Sequence, residues 1–518
     1  MELIKKKLIN KSIAVIGAGA SGIVSAKYAK VNNLNVTVFE KGSQLGGIWN
    51  HDGYTWDSMS TNGCKYTTEF SDFYFNEGTD IYPSSKTVLN YLHDYSKHFQ
   101  VFDTIKFNSQ VTNVNYIKDN TNNDNNQWNV TWKSLKDNKE FNKNFDYLIV
   151  SSGIHRQPKW GPYSDYISDK TNDKIKLIHS AIYKNSKEFK DKTVIVVGNS
   201  FSSSQIAVDL VGSAKSVINV YRKNVWCLEK YIVHPNFKKL VPHDCYIISR
   251  DFAINNDEKV LDLQTANKKL NKKMSMISEQ NSINKDLFNN PDSTNGPKHL
   301  AAEKYLKYIK ERLIKNIKTN IINITNNTVY LENGEKIKAD IVILATGYIL
   351  ELPFIGEELS KQLEYDPNDY VNPYLLYYRT INPMFKNLAF VGVFKGLFIQ
   401  TCENQAKFAF ECLLNRHKVK ENDINLYFEN IREIRKNPYS EKAQIVVANN
   451  MKFSDMIMEE LGLMPDLDKI KEEDEELYEY LYYGPIIPAH YSLNKNKDDP
   501  DRNKAVDYIK KLGQWMKL

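Results

Sequence analysis

Apolar and polar positions follow distinct rhythms along this chain. Residues 12–16, 146–150, 193–197 and 340–344 are short, nearly continuous apolar runs. They lack the alternation of a half-exposed strand and therefore predict strands covered on both faces, as in a parallel sheet flanked by helices. Each run ends in small residues: Gly17, Ser151-Ser152-Gly153, Gly198 and Ala345-Thr346-Gly347. Residues 26–31 have helical composition and lead into a strand at 35–40. Strands around 110–114 and 128–132 flank the asparagine-rich stretch 120–126, which predicts a hairpin with an exposed, dispensable tip. Residues 251–298 are polar and read as a partly helical insertion, with Lys268, Lys269, Lys272 and Lys273 on a solvated face. The acidic stretch 466–479 predicts an exposed helix with Tyr478 and Leu481 on its buried side. At the C-terminal end, Ala505, Tyr508, Ile509, Leu512, Trp515 and Met516 share one helical face, which either docks on its own domain or rests on a membrane surface.

The turns after the first and third runs carry the chemistry. Gly17-Ala18-Gly19-Ala20-Ser21-Gly22 follows a strand and opens a helix, and Glu40 stands 18 residues beyond Gly22. This is the context of a dinucleotide-binding βαβ unit. The first glycine makes the turn, the second admits a pyrophosphate, the third lets the helix pack, and the acid takes ribose hydroxyls. Gly198-Asn199-Ser200-Phe201-Ser202-Ser203 repeats the pattern, but Arg222 stands 19 residues on. A guanidinium there suits a ribose 2′-phosphate, so the two units predict two different dinucleotides. Ser200 and Ser203 replace expected glycines. The hydroxyls of Ser200, Ser202, Ser203 and Ser204 are therefore candidate phosphate donors.

At 518 residues the chain has room for two cores, and 42% hydrophobic with 25% charged residues lie in the globular range. A net charge of +6 without a clustered basic face points to a small-molecule partner and away from nucleic acid. Five cysteines with no CxxC pair suggest neither a disulfide framework nor a zinc site, and no metal is expected. A reducing, cytoplasmic setting fits. The segment from Met1 to Lys7 lacks the apolar stretch of a signal peptide, and no run approaches the ~18 apolar residues of a spanning helix.

Further landmarks are Gly46-Gly47-Ile48-Trp49, Ser60-Thr61-Asn62, Phe70-Ser71-Asp72-Phe73, His179-Ser180-x-x-Tyr183, Glu403-x-Gln405-Ala406 and Tyr483-Gly484-Pro485. Together with the first glycine turn and Ala345-Thr346-Gly347-Tyr348, they resemble the flavin-containing monooxygenases, from the first turn to near the C-terminus. The resemblance implies an α/β fold of two Rossmann-like dinucleotide-binding domains. An NADPH domain, about 155–347, would be inserted into an FAD domain, about 1–154 and 348–518.

By the same resemblance, NADPH reduces FAD, the flavin adds O2 as a C4a-hydroperoxide, and a soft nitrogen or sulfur nucleophile takes the distal oxygen. Asn62 would lie nearest the chemistry, holding cofactors through an amide that can donate and accept without adding charge. Gly47, Ile48, Trp49, Thr61, Val111, Gly347 and Gln405 would line the cofactors, and His179 would position domains. Tyr183 stands where Baeyer-Villiger enzymes usually carry tryptophan, which favours heteroatom oxygenation. Ketone oxygenation, or a flavin-binding protein that serves as a structural or sensing partner, stays open. Departures from the family pattern are Asp173 and Ile175, where Phe and Gly are expected, and the two serines of the second turn.

Overall fold

In the computed structural model the described residues run from 10 to 517, apart from 51–52, 120, 122–124, 156, 164–174, 255–262, 282–289, 294–297, 368, 370–371, 394–398 and 437–446. The segment Met1 to Lys7, most of the 120–126 tip, Asp173 and parts of the insertion lie outside them.

Two parallel sheets of five strands dominate. The first contains β1 (Ser12–Ile16), β2 (Asn35–Phe39), β3 (Ile105–Lys106), β4 (Tyr147–Val150) and, from far along the chain, Leu388–Phe390. Their spatial order is Leu388–Phe390, β4, β1, β2, β3. The second sheet contains β5 (Lys176–His179), β6 (Thr193–Val197), β7 (Ser216–Tyr221), β8 (Ile314–Lys318) and β9 (Ile341–Leu344), in the order β5, β9, β6, β7, β8. The order is the same apart from the outer strand, which comes after the other strands of the first sheet and before those of the second. An antiparallel three-stranded sheet accompanies each: Ser109–Ile117, Gln127–Ser134 and Glu140–Phe145 in one half, Ile321–Thr325, Thr328–Leu331 and Lys336–Lys338 in the other. The structure thus has the α/β class expected from the continuous apolar runs.

The helix after each glycine turn, α1 (Ala20–Val31) and α2 (Phe201–Leu210), packs on its own sheet. Geometry explains the first glycine of each turn. Gly17 has φ +107°, and a Cβ there would lie 2.5 Å from the Ser151 carbonyl oxygen; Gly198 has φ +135°, with the Ala345 carbonyl at 2.6 Å. A side chain would meet rigid backbone in a left-handed conformation. Gly22 is tighter still, since a Cβ on it would lie only 1.8 Å from the Gly17 carbonyl oxygen. Gly22→Ala is therefore expected to yield protein that folds without yellow FAD or not at all, read from flavin absorbance after gel filtration.

The polar insertion is less exposed than its composition implies. Its helix α3 (Leu263–Asn281) buries Leu270, Met274 and Ile277 in a core shared with the C-terminal helices. Lys268, Lys269 and Lys272 are exposed as expected, whereas Lys273 is half-buried and donates to the Asp251 carbonyl at 2.7 Å. Nearby, the fully buried Arg250 donates to both Asp455 carboxylate oxygens, at 3.2 and 3.0 Å, and to the Leu481 carbonyl.

The acidic stretch is two helices, Leu467–Glu473 and Glu475–Tyr483, because Asp474 leaves helical geometry and its side chain caps the second. The terminal helix α4 (Pro500–Lys517) buries Ala505, Ile509, Leu512 and Met516, and Tyr508 stacks on Tyr74 at 4.1 Å. This is the docking expected of the helix on its own domain, with Trp515 of the same face left exposed. Among the described residues no helix is long and apolar enough to cross a membrane.

Candidate functional site

At the first turn Gly19 begins α1 without a side-chain cap, and among the described residues the N–H groups of Ala20, Ser21 and Gly22 have no acceptor. Three open donors at a helix start form an anion site. Glu40 reaches back across the turn, accepting from the Ala18 N–H at 2.8 Å and the Gly42 N–H at 2.7 Å. Each carboxylate oxygen keeps a lone pair for a hydroxyl. Gly47 sits against Gly19, where a Cβ on Gly47 would lie 3.0 Å from the Gly19 Cα, so the Gly47–Trp49 turn walls the glycine loop. The buried hydroxyls of Thr61, Ser151 and Ser152 have no hydrogen-bond partner among the described residues. Ser151 and Ser152 abut Gly17, and unpaired buried hydroxyls beside open N–H groups fit a phosphate-bearing, hydroxyl-rich ligand.

The second turn is built differently. The Ser200 N–H donates to Ser203 Oγ at 2.7 Å, and that hydroxyl donates to the Ser200 carbonyl at 2.8 Å. Ser204 Oγ donates to the Ser200 and Phe201 carbonyls, both at 3.1 Å. Ser203 and Ser204 are fully buried. This corrects the expectation that their hydroxyls face a phosphate: they hold the turn. Ser200 is exposed, Ser202 is half-buried, and the N–H groups of Phe201 and Ser202 stay without an acceptor among the described residues. Asn199 ties the turn to the end of β7 by donating to the Lys223 carbonyl at 2.9 Å. Arg222 at that strand end is exposed and makes no ion pair among the described residues. A cationic fork open to solvent fits a 2′-phosphate.

The two units meet at Asn62, whose Oδ1 accepts from Gln205 Nε2 of α2 at 2.8 Å. In this arrangement Asn62 Nδ2 is left to donate elsewhere. Other bonds fasten the same seam. Ser58 and Tyr183 donate to the two oxygens of Asp209 at 2.6 and 2.5 Å, and Lys184 donates to the carbonyls of Gly53 and Thr55. Tyr183 is buried against Trp56 and Phe189.

Two of the expected cofactor residues have buried side chains that pack or bond within the protein. Gln405 is fully buried; its Oε1 accepts from the Gly392 N–H at 3.0 Å, and its Nε2 donates to the Arg379 carbonyl and Thr380 Oγ1. Its amide is bonded at both ends within the protein and so shapes the loop at Gly392. Val111 is buried in the core with Phe39 and Trp132. Gly347, φ +84°, accepts at its carbonyl from the Lys159 N–H at 2.9 Å and contacts His179 Nε2 at 3.1 Å.

One residue of this region, Gln205, has no signature in the sequence, whereas Glu403 belongs to a landmark whose role only the structure shows. Fully buried Glu403 accepts from the Ser71 N–H at 2.8 Å and Ser71 Oγ at 2.5 Å, which joins two of the ordered landmarks across 332 residues. A glutamine one turn into a helix carries no sequence signal for the role Gln205 plays.

His179 accepts from the Ala181 N–H at its Nδ1, and burial pulls its pKa down to about 4. Burial does the same to His234, also about 4, and burial beside Arg250 holds His490 well below its ordinary value. These histidines are neutral when folded but bind protons near pH 6.5 when unfolded, so stability is complete above about 6.5 and falls as pH drops toward 4. Glu69, raised to about 8 by burial, acts oppositely: its contribution is complete below about 4.5 and is lost as pH rises through 8. Thermal melts should therefore rise in midpoint from pH 4.5 to 6.5 and decline gently to pH 8.

Two nested five-stranded parallel sheets, with an acid ending the first nucleotide unit and an arginine the second, define a two-cofactor α/β oxidoreductase. The chain belongs to the family described as Flavin-binding monooxygenase-like, matched over residues 10–508. It is a flavin-dependent monooxygenase. The guinea-pig (Cavia porcellus) dimethylaniline monooxygenase [N-oxide-forming] 2 is 27% identical over 512 residues, 93% of this chain and 88% of that protein. Among solved structures, S-allyl-L-cysteine S-oxygenase from Allium sativum aligns with TM-score 0.60 and 19% identity over 97% and 99% of the two chains. Cyclohexanone monooxygenase from Rhodococcus sp. Phi1 bound to NADP+ aligns with TM-score 0.60 and 14% identity over 88% and 98%.

Proposed function

We propose that this enzyme oxygenates soft nucleophilic nitrogen or sulfur atoms of small molecules, with NADPH and O2 as co-substrates. The observation that carries the reading is the Asn62–Gln205 bond, which presents an uncharged amide donor where the two nucleotide units meet. Buried Tyr183 at the seam and a relative named for N-oxide formation support heteroatoms over ketones. We assign the FAD domain to about 1–154 and 348–518 and the NADPH domain to about 155–347, since β4 and β9 abut the two turns and Leu388–Phe390 rejoins the first sheet.

Bound FAD and NADPH supply oxygen activation and hydride, the chemistry that no protein side chain can perform. The chain's own residues bind and orient. The open N–H groups of Ala20 to Gly22 and Glu40 would hold FAD; Arg222 and the Phe201 and Ser202 N–H groups would hold NADPH; Asn62 would donate through Nδ2 at the reacting centre. Neutral His179 holds Gly347 and moves no proton. The test is a competition: purified enzyme with NADPH, O2, a thioether, a tertiary amine and a cyclic ketone. Sulfoxide or N-oxide is expected. Ester as sole product, or NADPH oxidation without any oxygenated product, would overturn the proposal.

A further inference from the structure

Three potential metal ligands from distant parts of the chain converge two residues beyond Asn62. Cys64 Sγ, Cys245 Sγ and an Asp244 carboxylate oxygen all lie within 4.8 Å of one another, and all three residues are buried. The sulfurs are 3.9 Å apart. Two thiolates each ~2.3 Å from one tetrahedral zinc ion would stand roughly 3.8 Å apart. Asp244 is held firmly: its Oδ2 accepts from the Cys64 N–H at 2.7 Å and from Thr67 Oγ1 at 2.6 Å. Its Oδ1 is buried with no hydrogen-bond partner among the described residues. A carboxylate oxygen buried bare is costly unless a cation takes it.

From this geometry we infer that Cys64, Cys245 and Asp244 form a structural site for a thiophilic divalent cation, zinc by ligand chemistry. Two sulfur donors and a carboxylate oxygen suit zinc and would fill three of its four tetrahedral positions, leaving the fourth to a water. Binding displaces one proton from each thiol, and both thiols are pushed up by burial, so without the ion they stay protonated. The two thiolates and one carboxylate exceed the ion's charge by one, and Lys230, buried nearby, offsets it. The ion would fasten the loop carrying Asn62 to the short helix His243–Ile247. The sequence carries no signature of this site, because its two cysteines stand 181 residues apart and belong to no CxxC pair.

The experiment uses the full-length FAD-loaded enzyme, expressed with zinc and gel-filtered in EDTA, with metal measured by plasma mass spectrometry. About one zinc per chain is expected, as for a single structural site. The Cys64→Ser, Cys245→Ser double variant should keep its yellow flavin and lose the zinc. Cobalt exchanged into the wild type should give a thiolate-to-metal charge-transfer band, a readout that stands even if the double variant fails to fold. Wild type free of zinc and without that band, zinc undiminished in the double variant, or a Cys64–Cys245 disulfide in place of metal would each overturn the inference.

Discussion

Asn62→Ala is expected to lower the rate of oxygenated product about 100-fold, or about 2.7 kcal/mol, the loss typical when one positioned donor is removed from a reacting centre. FAD content should not change, because the first turn and Glu40 are intact. Gln205 decides how Asn62 presents itself. Gln205→Ala leaves the Asn62 amide free to rotate, and a loss of about tenfold is expected, in line with positioning partners elsewhere. Gln205→Glu should be worse. A carboxylate can only accept, so Asn62 would turn its Nδ2 toward residue 205 and its Oδ1 toward the centre, exchanging a donor for an acceptor. The double variant Asn62→Ala, Gln205→Ala should be no slower than Asn62→Ala alone, because the two act through one bond. Unchanged product formation in Asn62→Ala would refute the role; additive losses in the double variant would refute the coupling.

Most of the architecture is legible in the sequence because the relevant signals are local. Five-residue apolar runs ending in small residues mark both parallel sheets, and a residue's spacing from its turn gives Glu40 and Arg222 their places. What stays hidden depends on contacts between distant segments. Gln205 acts only because α2 lies against the Asn62 loop 143 residues away. Gln405 is expected as a cofactor contact, and its amide also binds Gly392, Arg379 and Thr380, partners that composition does not reveal. The insertion misleads for a different reason. Its overall polarity masks Leu270, Met274 and Ile277 at helical spacing, the narrow stripe that buries α3 against the C-terminal helices. The serines of the second turn are visible in the sequence, but their hydroxyls turn inward because capping the turn leaves no other partner for the Ser200 N–H.

That inward turn makes Arg222 more important. Where a glycine-rich turn grips pyrophosphate with several N–H groups, the second turn has its Ser200 N–H and its Ser203 and Ser204 hydroxyls already engaged. Less of the binding energy can come from the pyrophosphate, so more must come from the 2′-phosphate. Arg222→Ala is expected to raise the Michaelis constant for NADPH by roughly 10- to 100-fold, as loss of a charged hydrogen-bonding partner commonly does. The constant for NADH, which lacks the 2′-phosphate, should move less than about threefold, since phosphate recognition is all that is lost. Arg222→Lys keeps the charge but loses the fork, so it should recover only part of the preference. Adding salt separates the charge from the turn: Arg222 is exposed, so raising ionic strength should weaken NADPH binding in the wild type and leave the alanine variant nearly unaffected. Steady-state kinetics with both nucleotides at two salt concentrations measures all of this, and an unaltered NADPH-to-NADH ratio in Arg222→Ala would place 2′-phosphate recognition elsewhere on the chain.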